Sequence, residues 1–187
     1  MVINRLESLA RESNGQICVA YVYIRFSDQG QITIRRILEV LVKQTVERHP
    51  ECMTLAQQAY CRHLRESTQP SEDELLQLLT QFNKTMKATF YVLDALDEAP
   101  VRIRLRIVQK LSSSGARLFI TSRPLPALEG KFSGAHTFHI LAQDQDLDLH
   151  IAEKIRDSED LQDLLDQGDS TFREYMISTI KIKCGGM

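Results

Sequence analysis

The sequence predicts an α/β fold, a three-layer sandwich with a mostly parallel sheet between helices. Two observations carry that prediction. Short runs of β-branched and aromatic residues are separated by longer segments in which apolar residues recur at helical spacing. In the second half this alternation tightens to strand, helix, strand, an order that puts consecutive strands parallel with helices on both faces.

Taken in order, Val2, Ile3, Leu6 and Leu9 predict a helix over 2–13, ended by Asn14-Gly15. That helix starts with the chain and has no capping signal, which leads us to expect a lost segment upstream. ICVAYVYIRF, residues 17–26, predicts a buried strand, and Ser27-Asp28-Gln29-Gly30 a turn. Residues 31–48 place Ile34, Ile37, Leu38, Leu41, Val42 and Val46 on one helical face, and His49-Pro50 breaks the helix. A further helix is expected over 52–65. Another starts at Ser71, which with Glu74 resembles a capping box ahead of Leu75, Leu76, Leu78, Leu79 and Phe82. ATFYVLDAL (88–96), ARLFIT (116–121) and HTFHIL (136–141) predict three more strands, with a helix over 101–111 and Gly115 closing its connection. Helices over 146–157, 159–166 and 169–183 complete the chain. The expected division is 1–143 for the sheet domain and 144–187 for the beginning of a helical subdomain.

The 187 residues, 43% hydrophobic and 26% charged, suffice for one domain with a core. A net charge of −2 gives no support to nucleic acid as a partner. No apolar run approaches the roughly 20 residues that span a bilayer, so no membrane partner is expected, and residues 1–13 lack the apolar stretch of a signal peptide. Cys18, Cys52, Cys61 and Cys184 form no CxxC pair and have no zinc-spaced histidines, which suits reduced thiols in the cytosol.

The chemistry concentrates in Phe90-Tyr91-Val92-Leu93-Asp94-Ala95-Leu96-Asp97-Glu98, an apolar strand running into three carboxylates. Strands of a parallel sheet present their carboxyl ends to a ligand crevice. At about 3.3 Å per residue, Asp97 and Glu98 fall roughly 10 Å or less beyond Asp94. Like charges that close repel by about 1 kcal/mol per pair at about 4 Å in water, and more in a sheltered site. A hard divalent cation relieves that repulsion, and oxygen ligands suit magnesium. A plain solvated acidic turn is the bland alternative. The next strand ends in Thr121-Ser122-Arg123-Pro124, and an arginine there can bind a phosphate bidentately. Set beside the acidic strand end, it completes a cation-plus-phosphate constellation.

These stretches resemble the NACHT domains of the STAND branch of P-loop NTPases. VLDALDEAP is close to the form in large fungal NACHT proteins of the ankyrin type and in nephrocystin-3-like N-terminal regions, and FITSRP resembles the strand with the sensor arginine. AYVYIRFSDQGQ, DLDLHIAEKI and IKIKCGGM extend the resemblance over almost the whole chain. It implies a P-loop NTPase-like sandwich in which Asp94 holds magnesium through a water, while Asp97 and Glu98 orient or activate the attacking water. Arg123 reads the terminal phosphate of ATP or GTP, and Thr121 and Ser122 shape the strand end. The intact relatives are nucleotide-dependent switches that oligomerise, commonly with C-terminal ankyrin or WD repeats.

The sequence departs from that pattern at one point: no GxxxxGK[ST] occurs to cradle the phosphates. Gly130-Lys131-Phe132-Ser133 lacks the upstream glycine and is expected to be a surface turn. The resemblance places the missing loop and its strand before residue 2, with that strand in mid-sheet. Its loss orphans backbone groups at about 1–3 kcal/mol each if buried, against a domain stability of about 5–15 kcal/mol. The expectation is therefore a fragment of a NACHT switch, unstable or rearranged alone, that holds neither magnesium nor nucleotide tightly. The missing P-loop segment and the C-terminal repeats are its implied partners, with a homo-oligomer as a further one. A degenerate NACHT module without nucleotide binding is the second reading. A magnesium-dependent nuclease or phosphatase is the third, disfavoured because Asp144, Asp146 and Asp148 sit where they would cap a helix.

Overall fold

The computed structural model describes residues 2–28, 30–125, 134–140, 144–168 and 170–184. They form two compact units, residues 1–132 and 133–187. Gly130 to Ser133 lie outside the described residues.

The first unit is α/β. Its sheet has three parallel strands, β1 (Ile17–Tyr23), β2 (Ala88–Asp94) and β3 (Arg117–Ile120), in the order β1-β2-β3. Helix α1 (Val2–Glu12) precedes β1 and packs along it. Three helices, α2 (Ile34–Arg48), α3 (Met53–Glu66) and α4 (Glu72–Thr85), connect β1 to β2, and α5 (Val101–Ser112) connects β2 to β3. Their ends follow local chemistry. Thr33 caps α2 by accepting from the Arg36 amide. The Ser71–Glu74 capping box opens α4, with both reciprocal hydrogen bonds formed. Gly115, at φ +81, makes the left-handed turn that returns α5 to β3.

One face of the sheet carries the core. Cys18, Ala20, Tyr91 and Leu93 point into it and meet Ile37, Leu38 and Leu41 of α2, Leu75, Leu79 and Phe82 of α4, and Ile103, Ile107 and Leu111 of α5. Tyr91 is fully buried, and its hydroxyl donates to Asn83 Oδ1 at 2.8 Å. Asn83 Nδ2 in turn donates to the Ser114 carbonyl, so one polar chain ties α4 to the turn before β3. Burial pushes the Cys18 thiol up to about 11, so it stays neutral. Cys18, Cys52 and Cys61 are free thiols.

The two edges of the sheet differ. On β1, Gln44 of α2 accepts from the Tyr21 amide at 3.0 Å and donates to the Tyr21 carbonyl at 2.7 Å. Arg48, one turn on, donates to the Val19 carbonyl, binds Glu7 of α1 at 3.1 Å and lies over the Tyr21 ring. Side chains thus occupy the backbone groups that a further strand would need. β3 pairs only with β2, and no strand occupies its other edge among the described residues.

The strands are shorter than the apolar runs that predict them. β1 stops at Tyr23 because its register partner, Asp94, is the last residue of β2. Beyond it only the Ile24 amide still reaches Asp94, at 3.1 Å, and Phe26–Asp28 turn as a 3-10 segment.

The second unit contains α6 (Asp144–Arg156), α7 (Glu159–Gln167) and α8 (Ser170–Cys184) around a small core of Ile151, Ile155 and Leu165. The strand expected over 136–141 is not there: residues 135–140 carry no strand and are all exposed, Ile140 at 91%. Leu141 lies outside the described residues. An alternating apolar pattern becomes a strand only when a neighbour takes its N–H and C=O groups, and no described strand does so. No described helix is long and apolar enough to cross a membrane.

Candidate functional site

The carboxyl ends of β2 and β3 lie side by side, since Leu93 pairs with Ile120. Asp94 ends β2, half-buried, in register with Tyr23. The next residue, Ala95, turns the chain with φ +56 and ψ +49, a left-handed conformation that costs an alanine about 1–2 kcal/mol. Strand β3 holds that turn in place. Thr121 Oγ1 accepts from the Ala95 amide at 2.9 Å, and the Thr121 carbonyl accepts from the Leu96 amide at 2.9 Å. The same hydroxyl donates to Asp94 Oδ1 at 2.5 Å. Asp94 Oδ2 takes no hydrogen bond among the described residues.

Leu96–Glu98 then form a 3-10 turn whose Leu96, fully buried, anchors it in the core. The two acids of the turn diverge. Asp97 points toward β3, where its Oδ1 accepts from the Arg123 amide at 3.1 Å and its Oδ2 from Arg123 Nε at 2.6 Å. The Asp97 side chain is only 9% exposed, whereas that of Arg123 is 74% exposed. Burial pushes the Asp97 carboxyl upward, but the hydrogen bonds from Arg123 outweigh it and hold the group below the ordinary aspartate value. The hydrogen bond to Asp97, with the attraction of its charge, raises Arg123 in turn. Glu98 points the other way, and its Oε2 accepts from the Phe26 amide, 2.7 Å away in the loop after β1. Ser122 is exposed and donates to the Arg123 carbonyl.

Asp94 with Thr121, and Asp97 with Arg123, are therefore brought together, while Glu98 leans toward β1 and Ser122 touches none of the acids. Among the described residues, no three acids, histidines or cysteines converge as a metal-ligand set. A cation here would have Asp94 as its acid ligand and would need water or ligand oxygens for the rest of its shell. Arg123 already meets one oxyanion, the Asp97 carboxylate, through a single guanidinium nitrogen and its own backbone amide.

Sequence reasoning missed Arg104. From the first turn of α5 it donates to the Asp97 carbonyl at 2.5 Å and the Ala99 carbonyl at 2.7 Å, clamping the acidic turn from below. A signal for it exists. Helix N-termini favour acids, yet α5 opens with no acid and has arginines at 102, 104 and 106, so an arginine there needs another task.

A parallel α/β unit with its polar residues at adjacent carboxyl strand ends is the class of protein these features define. Within that class, the family described as Nephrocystin 3, N-terminal, matches residues 1–123, well over half of the chain, and the chain belongs to that family. No curated protein and no solved structure gives a significant match.

Proposed function

We propose that the carboxyl ends of β2 and β3 form the Walker B and sensor side of a nucleotide site of the NACHT, P-loop NTPase kind, belonging to an ATP- or GTP-dependent signalling switch. One observation carries this reading: Asp94 and Arg123 stand at neighbouring parallel strand ends, joined by the Thr121–Asp94 and Arg123–Asp97 hydrogen bonds. Thr121 fixes one Asp94 oxygen, which orients the other toward a water of a hydrated magnesium ion. Arg123 supplies a guanidinium for the terminal phosphate. Asp97 and Glu98 are the acids beyond the strand that position water. Magnesium, when bound, neutralises phosphate charge and draws the phosphate toward Asp94.

The test uses the manganous ion, whose unpaired electrons broaden nearby amide resonances, with ATP at millimolar concentration. The expected result is ATP-dependent broadening centred on residues 94–98 and 121–123 with their neighbours Tyr23 to Phe26, and lost in Asp94→Asn. Uniform broadening, or none, overturns the reading.

A second reading, an interaction module that binds no nucleotide, is favoured by a different observation. Asp97 and Glu98 already take hydrogen bonds from Arg123 and the Phe26 amide, and the sequence contains no GxxxxGK[ST]. Absence of broadening in the same experiment supports it.

A further inference from the structure

Helix α3 is thinly seated for its sequence. It carries Leu55, Ala56, Ala59, Tyr60 and Leu64 at helical spacing, yet the residue it buries is His63. Tyr60 and Leu64, one turn apart, are 66% and 64% exposed. His63 pins the far end of the helix, its Nδ1 2.8 Å from Thr68 Oγ1, and the Pro50–Cys52 turn joins the near end to α2. Between these two ends a trough of about 620 Å³ lies between α2 and α3. Its apolar lining comes from Val42 and Val46 of α2, Ala56 and Ala59 of α3, and Leu75 and Leu78 of α4. Arg35, Lys43 and Glu47 border it, and Glu39 completes a row of alternating charge in steps of one helical turn.

We infer that this trough seats an amphipathic helix of a partner protein, with one apolar row inside it and charges of both signs along the flank. The inference stands apart from the nucleotide reading. At about 1.5 Å per residue, the stretch from Arg35 to Glu47 is roughly 18 Å long. A helix of that length, about 10 Å across, fills about 1,400 Å³, so the trough takes one face of it and leaves the rest outside. The rim suits that remainder. Tyr60 and Leu64 extend the apolar surface past the trough, where a helix covers them and a buried alkyl chain does not. Charge makes the same choice. An alkyl chain brings one head group, whereas two bases and two acids in a row are matched by a helix with its own alternating row. Arg35–Glu39 and Lys43–Glu47 are solvent-facing pairs within one helix, weak enough to re-pair across an interface.

The probe is a capped, labelled synthetic peptide of about 18 residues, with leucines at i, i+4, i+7 and i+11 and alternating glutamate and lysine beside them. A control peptide has the same leucines flanked by glutamate alone. Binding to the full chain is read by fluorescence anisotropy. The wild type is expected to bind the alternating peptide about threefold more tightly than the control, and Glu39→Lys with Glu47→Lys to reverse that order. Ala56→Glu puts a carboxylate into the trough and should weaken both peptides about tenfold. Should Ala56→Glu fail to fold, as judged by its melting curve, Tyr60→Ser at the exposed rim takes its place, with about a fivefold loss expected. A folded variant that binds as the wild type does, a wild type that binds neither peptide at millimolar concentration, or a peptide order that the charge variant leaves unchanged overturns the inference. So does sodium dodecanoate that displaces the peptide, which makes an alkyl chain the occupant. A wild-type dimer in light scattering that Ala56→Glu or Tyr60→Ser dissolves makes the occupant a second copy and overturns it equally.

Discussion

Thr121 shows how much of the site hangs on a single hydroxyl. It donates to Asp94 and accepts from the amide of Ala95, the residue held in a left-handed turn. Thr121→Val keeps shape and removes both hydrogen bonds, leaving a half-buried amide without its acceptor. The expected cost is about 1–3 kcal/mol, read as a lower urea midpoint, while Thr121→Ser recovers most of it. A Thr121→Val midpoint equal to the wild type would show that the turn stands without the Thr121 hydroxyl. Asp97 has its own signature in pH. Its carboxyl is depressed in the fold, so the stability it contributes is fully present above the ordinary aspartate value, about 3.9, and is lost as pH falls through the folded value. The midpoint gap between wild type and Asp97→Asn should be constant between about pH 5 and 7, then close below about pH 4. A gap that persists unchanged in acid would mean that the charge of Asp97 contributes nothing. That acids would crowd a strand end was legible in the sequence, because the apolar run before Asp94 stops abruptly. Their partners were not: Arg123 lies 26 residues from Asp97, and only the register of β2 on β3 decides that the two meet.

Elements divide in the same way between local and distant causes. The Ser71–Glu74 box and the apolar face of α4 are written within one helix, so reading them required no tertiary knowledge. A strand has no such independence. ICVAYVYIRF continues past the point where β2 can still pair with it, and HTFHIL has the right alternation without a described neighbour. Arg104 fails to show in the sequence for a related reason. Three arginines alternate along the opening of α5, and helix phase alone selects the one that reaches the carbonyls of Asp97 and Ala99.

For the molecule as a whole, the unequal sheet edges matter most. Gln44 and Arg48 satisfy the Tyr21 amide and carbonyl and the Val19 carbonyl on the outward edge of β1, and both changed to alanine should leave that edge open. Size-exclusion chromatography with light scattering is expected to show higher assemblies in the double variant that the wild type does not form. An unchanged elution profile would mean that α2 itself, rather than these two side chains, shields the strand.

The same asymmetry sets a stoichiometry. Chains that join sheet to sheet can lengthen without limit only if every member offers two free rims, one to receive and one to extend. Here one rim is sealed from within by the helix that immediately follows the strand. Association through β3 is therefore expected to end with the first two molecules, so that growth of a fibril by this route stops at a pair.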